Sequence, residues 1–142
     1  MGKCYNSTVI DAPIERVWQT IKNFHDLSWD SAVVTSTDKV GSKNSDEIGA
    51  QRVLNNAFHE TLLSIDNSQF NFTYSIDDGP GPVAKDAVQN YIGKVKLSPV
   101  TDSNSTFVEW SSSFDSTDPD EVADFCNPIY AGLLASLKLH FS

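Results

Sequence analysis

Arg52 and Glu60 flank the dipeptide Asn55-Asn56. Each side chain can do chemistry that the other completes. An arginine holds a carbonyl, carboxylate, enolate or sulfenate oxygen through its fork of N–H donors. A glutamate in apolar surroundings can have a raised pKa and act as general acid or base. Whether the two meet depends on the turn between them. A three-residue turn at Asn55–Ala57 pairs Leu54 with Phe58 and Arg52 with Glu60. A two-residue turn pairs Arg52 with His59 and sends Glu60 to the other face. The first register gathers Arg52, Leu54, Phe58, Glu60 and Leu62 on one face. It puts the apolar residues on the side that needs burial, and it is the register expected. Two charges on a buried face are costly unless they pair. The plain alternative is an ion pair that braces the hairpin and does nothing else.

Aromatic residues recur on the stretches that follow: Phe58, Phe72, Tyr74, Tyr91, Trp110 and Phe114. Such side chains suit flat or isoprenoid ligands, and a tyrosine hydroxyl can orient a polar end. Ordinary core packing uses them equally well.

The elements that must position these residues follow from periodicity. Lys3 to Ile10 reads as a strand. Pro13 opens an amphipathic helix with Ile14, Val17, Trp18 and Ile21 at helical spacing, running to about Asn23. Phe24 to Trp29 reads as a second short helical turn or a tight bend. The period then becomes two. Six strands are expected: Val33–Val40, Ile48–Leu54, Phe58–Ile65, Phe70–Ile76, Gln89–Val100 and Thr106–Phe114. Short turns between them imply an antiparallel meander. A long helix closes the chain from Pro119, with Asp118 as its cap and Pro128 placed to kink or split it. Its apolar stripe must lie on the concave face of the sheet. The class is α+β.

Composition bounds the rest. The chain has 142 residues, enough for one domain with its own core. Its formal charge of −9 repels phosphate and argues against nucleic acid and against anionic lipid. There is no apolar run of bilayer length, and the N-terminus has no apolar signal core, so a cytoplasmic location is expected. Cys4 and Cys126 stand at opposite ends of the chain and read as reduced thiols. His25, His59 and His140 are scattered without ligand spacing, so no metal is expected. No cofactor motif appears: Gly79 and Gly81 lack the third glycine and following helix of a dinucleotide site. No motif specifies an oligomeric state.

The element order carries a series of words: Ile10-Asp11-Ala12-Pro13 with Glu15, Val17 and Trp18; Phe24-His25-Asp26-Leu27 with Trp29; Gly49-Ala50-Gln51-Arg52; Glu60-Thr61-Leu62-Leu63; Tyr74-Ser75-Ile76; Asn90-Tyr91; and Val108-Glu109-Trp110. Together they resemble the START-like (SRPBCC) superfamily, in its polyketide cyclase/dehydrase branch. The resemblance implies a helix-grip fold. A curved seven-stranded antiparallel sheet would wrap around the C-terminal helix, with two short helices after the first strand and a cavity between sheet and helix. It is similar in these words to the plant lachrymatory-factor synthases, whose proposed catalytic Arg and Glu match Arg52 and Glu60. Those enzymes also carry Tyr, Tyr and Trp at the words of Tyr74, Tyr91 and Trp110. They differ in an insertion where this chain has only the short turn before Glu60.

What the resemblance implies for function is a small hydrophobic molecule as partner. It would be a mostly apolar ligand with an oxygen-bearing end, held by Arg52, Phe58, Glu60, Tyr74, Tyr91, Trp110 and Phe114. Ile129, Tyr130, Leu133 and Leu134 would close over it from the last helix. Gly79, Pro80, Gly81 and Pro82 would stand at the entrance as a lid. The rival reading is a small cyclase, dehydratase or isomerase with Glu60 as acid or base and Arg52 as oxyanion holder. The third is a partner-binding module with a filled core.

Overall fold

The computed structural model describes residues 1–30 and 32–142. The strands are β1 (Gly2–Ile10), β2 (Thr37–Val40), β3 (Gln51–Leu54), β4 (Phe58–Asp66), β5 (Asn71–Asp78), β6 (Gln89–Val100) and β7 (Ser105–Asp115). They form one antiparallel sheet in the order β1-β7-β6-β5-β4-β3-β2. Helix α1 (Ile14–Ile21) follows β1, a single 3-10 turn spans Gly81–Val83, and α2 (Pro119–His140) closes the chain. This is the expected α+β helix-grip fold. Alternate residues point inward: Tyr91, Val95 and Leu97 on β6, and Val108, Trp110 and Phe114 on β7, are buried. Helix α2 presents Val122, Cys126, Tyr130, Leu133, Leu134 and Leu137 to them. Among the described residues, no helix is long and apolar enough to cross a membrane.

Four details refine the expectation. Of the two readings of Phe24 to Trp29, the tight bend forms and the second short helix does not. Phe24 to Trp29 forms two tight bends, closed by Asp26 N–H on the Asn23 carbonyl (3.1 Å) and Asp30 N–H on the Leu27 carbonyl (2.9 Å). Side chains there compete with helical bonding: Asn23 Oδ1 accepts from His25 N–H at 3.3 Å, and Asp26 Oδ1 from Ser28 N–H at 2.9 Å. The strand expected at Val33–Val40 is paired only over Thr37–Val40. Before it, the Asn55 side chain stands in for a partner strand. Its Oδ1 accepts from Thr35 N–H (2.7 Å) and Ser36 N–H (3.3 Å), and its Nδ2 donates to the Val33 carbonyl (2.9 Å). Strand β3 begins at Gln51 instead of Ile48, because the chain bends at Gly49, whose φ is +92°. Finally, Pro128 does not split α2, which is a single element. Buried side chains on both sides of the proline hold it on the sheet, and packing outweighs the lost backbone bond. Its cap is as expected: Asp118 Oδ1 accepts from Glu121 N–H at 3.1 Å.

Candidate functional site

The turn between β3 and β4 is the three-residue one. Asn55 and Asn56 take positive φ (56° and 54°), which asparagine tolerates, and Ala57 N–H closes the turn on the Leu54 carbonyl at 3.0 Å. Arg52 therefore faces Glu60 across the ladder, and Leu54 faces Phe58. Both charged residues are buried, 3 % and 5 % exposed. Arg52 Nε and Nη2 donate to the same oxygen, Glu60 Oε1, at 2.8 and 2.6 Å. Nη1 donates to the Phe24 carbonyl at 2.9 Å, and the guanidinium lies 3.9 Å from the centre of the Phe24 ring. A planar fork that also stacks is something lysine cannot supply. Glu60 Oε2 accepts no hydrogen bond from the described residues. Burial pushes the Glu60 carboxyl above its ordinary range; the Arg52 charge and hydrogen bonds pull it back, and Asp77 adds to the rise.

A second polar group lies deeper. Trp110 Nε1–H donates to the Tyr74 hydroxyl at 2.8 Å, which donates to the Tyr130 hydroxyl at 3.3 Å. Tyr130 also bonds the Tyr91 hydroxyl. Burial pushes all three phenols well above their ordinary range. They remain protonated and act as donors. Tyr74 reaches this cluster by lying flat over Gly93. A Cβ at Gly93 would stand 2.2 Å from Tyr74 Cζ. Nothing in the sequence marks Gly93 for this role, because the need for empty space appears only once the strand across from it is known.

Sheet and helix enclose a cavity of about 40 Å³. It has room for a few waters, well short of the roughly 300 Å³ that holds a drug-sized molecule. Of the expected ligand residues, Arg52, Phe58, Glu60, Tyr74, Trp110, Ile129, Tyr130 and Leu133 line it. Tyr91 and Phe114 do not; they stack on each other at 5.5 Å and reach the cavity only through the Tyr130 hydroxyl. Leu134 is core packing. Gly79, Pro80, Gly81 and Pro82 are not among the lining residues either. Their turn sits behind Phe58, 3.6 Å from a Cβ built at Gly79. The wall on the other side comes from Leu27, Val33, Val34 and Asn55, which sequence reasoning missed. Their signal was weak, because Leu27 stands in a bend, Val33 and Val34 precede the paired part of β2, and Asn55 reads as a turn residue.

The profile of the family described as "Polyketide cyclase / dehydrase and lipid transport" matches residues 1–141. Among solved structures, a protein from Nitrosospira multiformis superposes with a TM-score of 0.96 at 44% identity, covering 99% of this chain and 96% of that one. The protein XoxI from Bacillus cereus gives 0.81 at 25% identity, with 99% and 96% covered. An uncharacterised protein from Bacillus thuringiensis gives 0.81 at 24%, with 99% and 98% covered, and shows the shared fold alone. Among curated proteins nothing matches.

Proposed function

Since the chain belongs to the polyketide cyclase/dehydrase and lipid transport family, we propose that it binds a small, mostly apolar molecule with one oxygen-bearing end, between the sheet and α2. One observation carries this reading. Glu60 is a buried residue whose Oε1 is tied by Arg52, while its Oε2 accepts no hydrogen bond from the described residues, on the wall of an otherwise apolar cavity. A carboxylate oxygen on an apolar wall is poorly solvated without a donor. A ligand hydroxyl would satisfy it. Arg52 then serves mainly to hold Glu60 charged and in place, since three of its N–H groups are already engaged. The aromatic side chains receive the apolar body. The cavity must widen to admit it, chiefly by movement of Phe58 and Tyr130.

A second reading rests on the raised Glu60 carboxyl. A proton held more tightly than usual, beside a fixed cation, suits acid–base work on a cyclising or dehydrating substrate. Native mass spectrometry of protein purified without detergent, followed by titration with naphthalene and 2-naphthol, tests the first reading. The hydroxyl should improve binding by about tenfold, as a charge-assisted hydrogen bond does. That advantage should vanish in the double variant Arg52→Met, Glu60→Leu. No added mass together with no preference for the hydroxyl would leave a filled core as the better description. Turnover of a bound molecule that is lost in Glu60→Gln while binding persists would favour the enzyme.

A further inference from the structure

Strand β1 and helix α2 come from opposite ends of the chain and pack together. Asn127 Oδ1 accepts from the Tyr5 backbone N–H at 3.2 Å and from Asn6 Nδ2 at 3.0 Å. These bonds cover part of the free edge of β1, the end strand of the sheet. One residue before each partner stands a cysteine. Cys4 and Cys126 are both free and both 2% exposed, one buried on β1 and the other on the buried face of α2. Cys126 also lines the cavity. Hydrogen bonding from Cys126 draws the Cys4 thiol down to about 7 against the opposing effect of burial. The fold has thus brought to one seam two thiols that stand near opposite ends of the sequence.

We propose that Cys4 and Cys126 are an oxidant-sensitive pair whose disulfide ties α2 to β1 and locks the seam between the two ends of the chain. The oxidant is a small hydroperoxide, which needs little more room than a water and can reach the pair through the cavity that Cys126 lines. The Cys4 thiolate attacks one peroxide oxygen, and the O–O bond breaks. The leaving hydroxide takes up the thiol proton as water, and Cys4 becomes a sulfenic acid. The Cys126 sulfur then attacks the Cys4 sulfur, and the S–O bond breaks. A second water leaves with the Cys126 proton. Two thiols and one hydrogen peroxide give one disulfide and two waters, with two electrons passing from sulfur to peroxide. A reducing dithiol reverses the change. The tie would close a loop that spans most of the chain and should raise the unfolding temperature by about 10 °C. The pair would act in this way whether or not the cavity takes a ligand.

The experiment treats the full chain with hydrogen peroxide, then maps peptides without reduction. The expected result is one cross-linked peptide joining the Cys4 and Cys126 segments, with the loss of two hydrogens. Amide exchange along α2 should slow and the melting temperature should rise, both reversed by dithiothreitol. Cys4→Ser should show neither the cross-link nor the rise in melting temperature. Sulfinic acid on either cysteine without a cross-link would overturn the proposal. So would disulfide-linked dimers, or a cross-link that leaves the melting temperature and helix exchange unchanged.

Discussion

At the scale of single residues, the Arg52–Glu60 pair is held together by the cost of separating it. A buried charge that loses its partner costs about 3–5 kcal/mol, whereas replacing both charges with apolar residues of similar volume is often neutral or stabilising. Arg52→Met alone should therefore lower stability by about 4 kcal/mol. The double variant Arg52→Met, Glu60→Leu should fold at least as stably as the wild type. Urea unfolding of the two single variants and the double variant measures the coupling; additive losses would show that the pair does not act as a unit. The pH dependence carries its own sign. Glu60 holds its proton more tightly folded than unfolded. Between its ordinary pKa and the raised one the folded state binds more protons, so stability falls as pH rises through that window. Relative to Glu60→Gln, the wild type should lose stability over that range. This pair was legible in the sequence because a turn of three residues aligns Arg52 with Glu60 and collects apolar neighbours on one face. The seat of Tyr74 was not. Gly93→Ala should cost about 3 kcal/mol through overpacking against the phenol ring. In a Tyr74→Leu background that cost should disappear, leaving the gain of about 0.5–1 kcal/mol that alanine brings over glycine in a strand.

Among the elements, those whose side chains repeat with a clear period were read correctly, and those built by side chain to backbone bonds were left open or misread. Helix α2 shows its stripe and its cap, Asp118 on Glu121 N–H, directly in its residue order. The bends from Phe24 to Trp29 contain buried Phe24, Leu27 and Trp29 at spacings that imitate a helix. Only the competing acceptors Asn23 and Asp26 decide otherwise. The segment before β2 is a similar case: its partner is one asparagine side chain rather than a strand. Asn55→Gly keeps the positive φ that the turn requires and removes that partner. Amide exchange should then speed up at Thr35 and Ser36, which donate to Asn55 Oδ1. Ala57, which bonds the Leu54 carbonyl, should keep its protection. Equal loss at all three amides would mean that Asn55 acts through the turn and not as a surrogate strand. Since Val33 and Val34 line the cavity, the same substitution loosens one of its walls.

For the whole molecule, the central fact is a grip that is nearly closed. Helix α2 lies closely on β1 and β7. Its approach to the far wing of the sheet is thinner, through contacts such as the stack of Phe125 on Phe58, with ring centres 6.3 Å apart. The wing of β2, β3 and β4 is therefore the side on which sheet and helix can part. A cavity of about 40 Å³ cannot take a naphthol-sized body as it stands. Binding must wait for an open form, and the apparent affinity is reduced by the fraction of molecules in that form. The kinetics should show it. In stopped flow with 2-naphthol, the observed association rate should rise with concentration and then level off at the rate of opening. Phe125→Leu removes the aromatic stack that joins helix to wing, so it should raise the plateau while leaving the Arg52–Glu60 contacts intact. A rate that climbs linearly, with a slope in the ordinary range of about 10⁵–10⁷ M⁻¹s⁻¹, would mean that the ligand meets a ready surface. The closed cavity would then be part of the core, and the binding site would lie elsewhere on the chain.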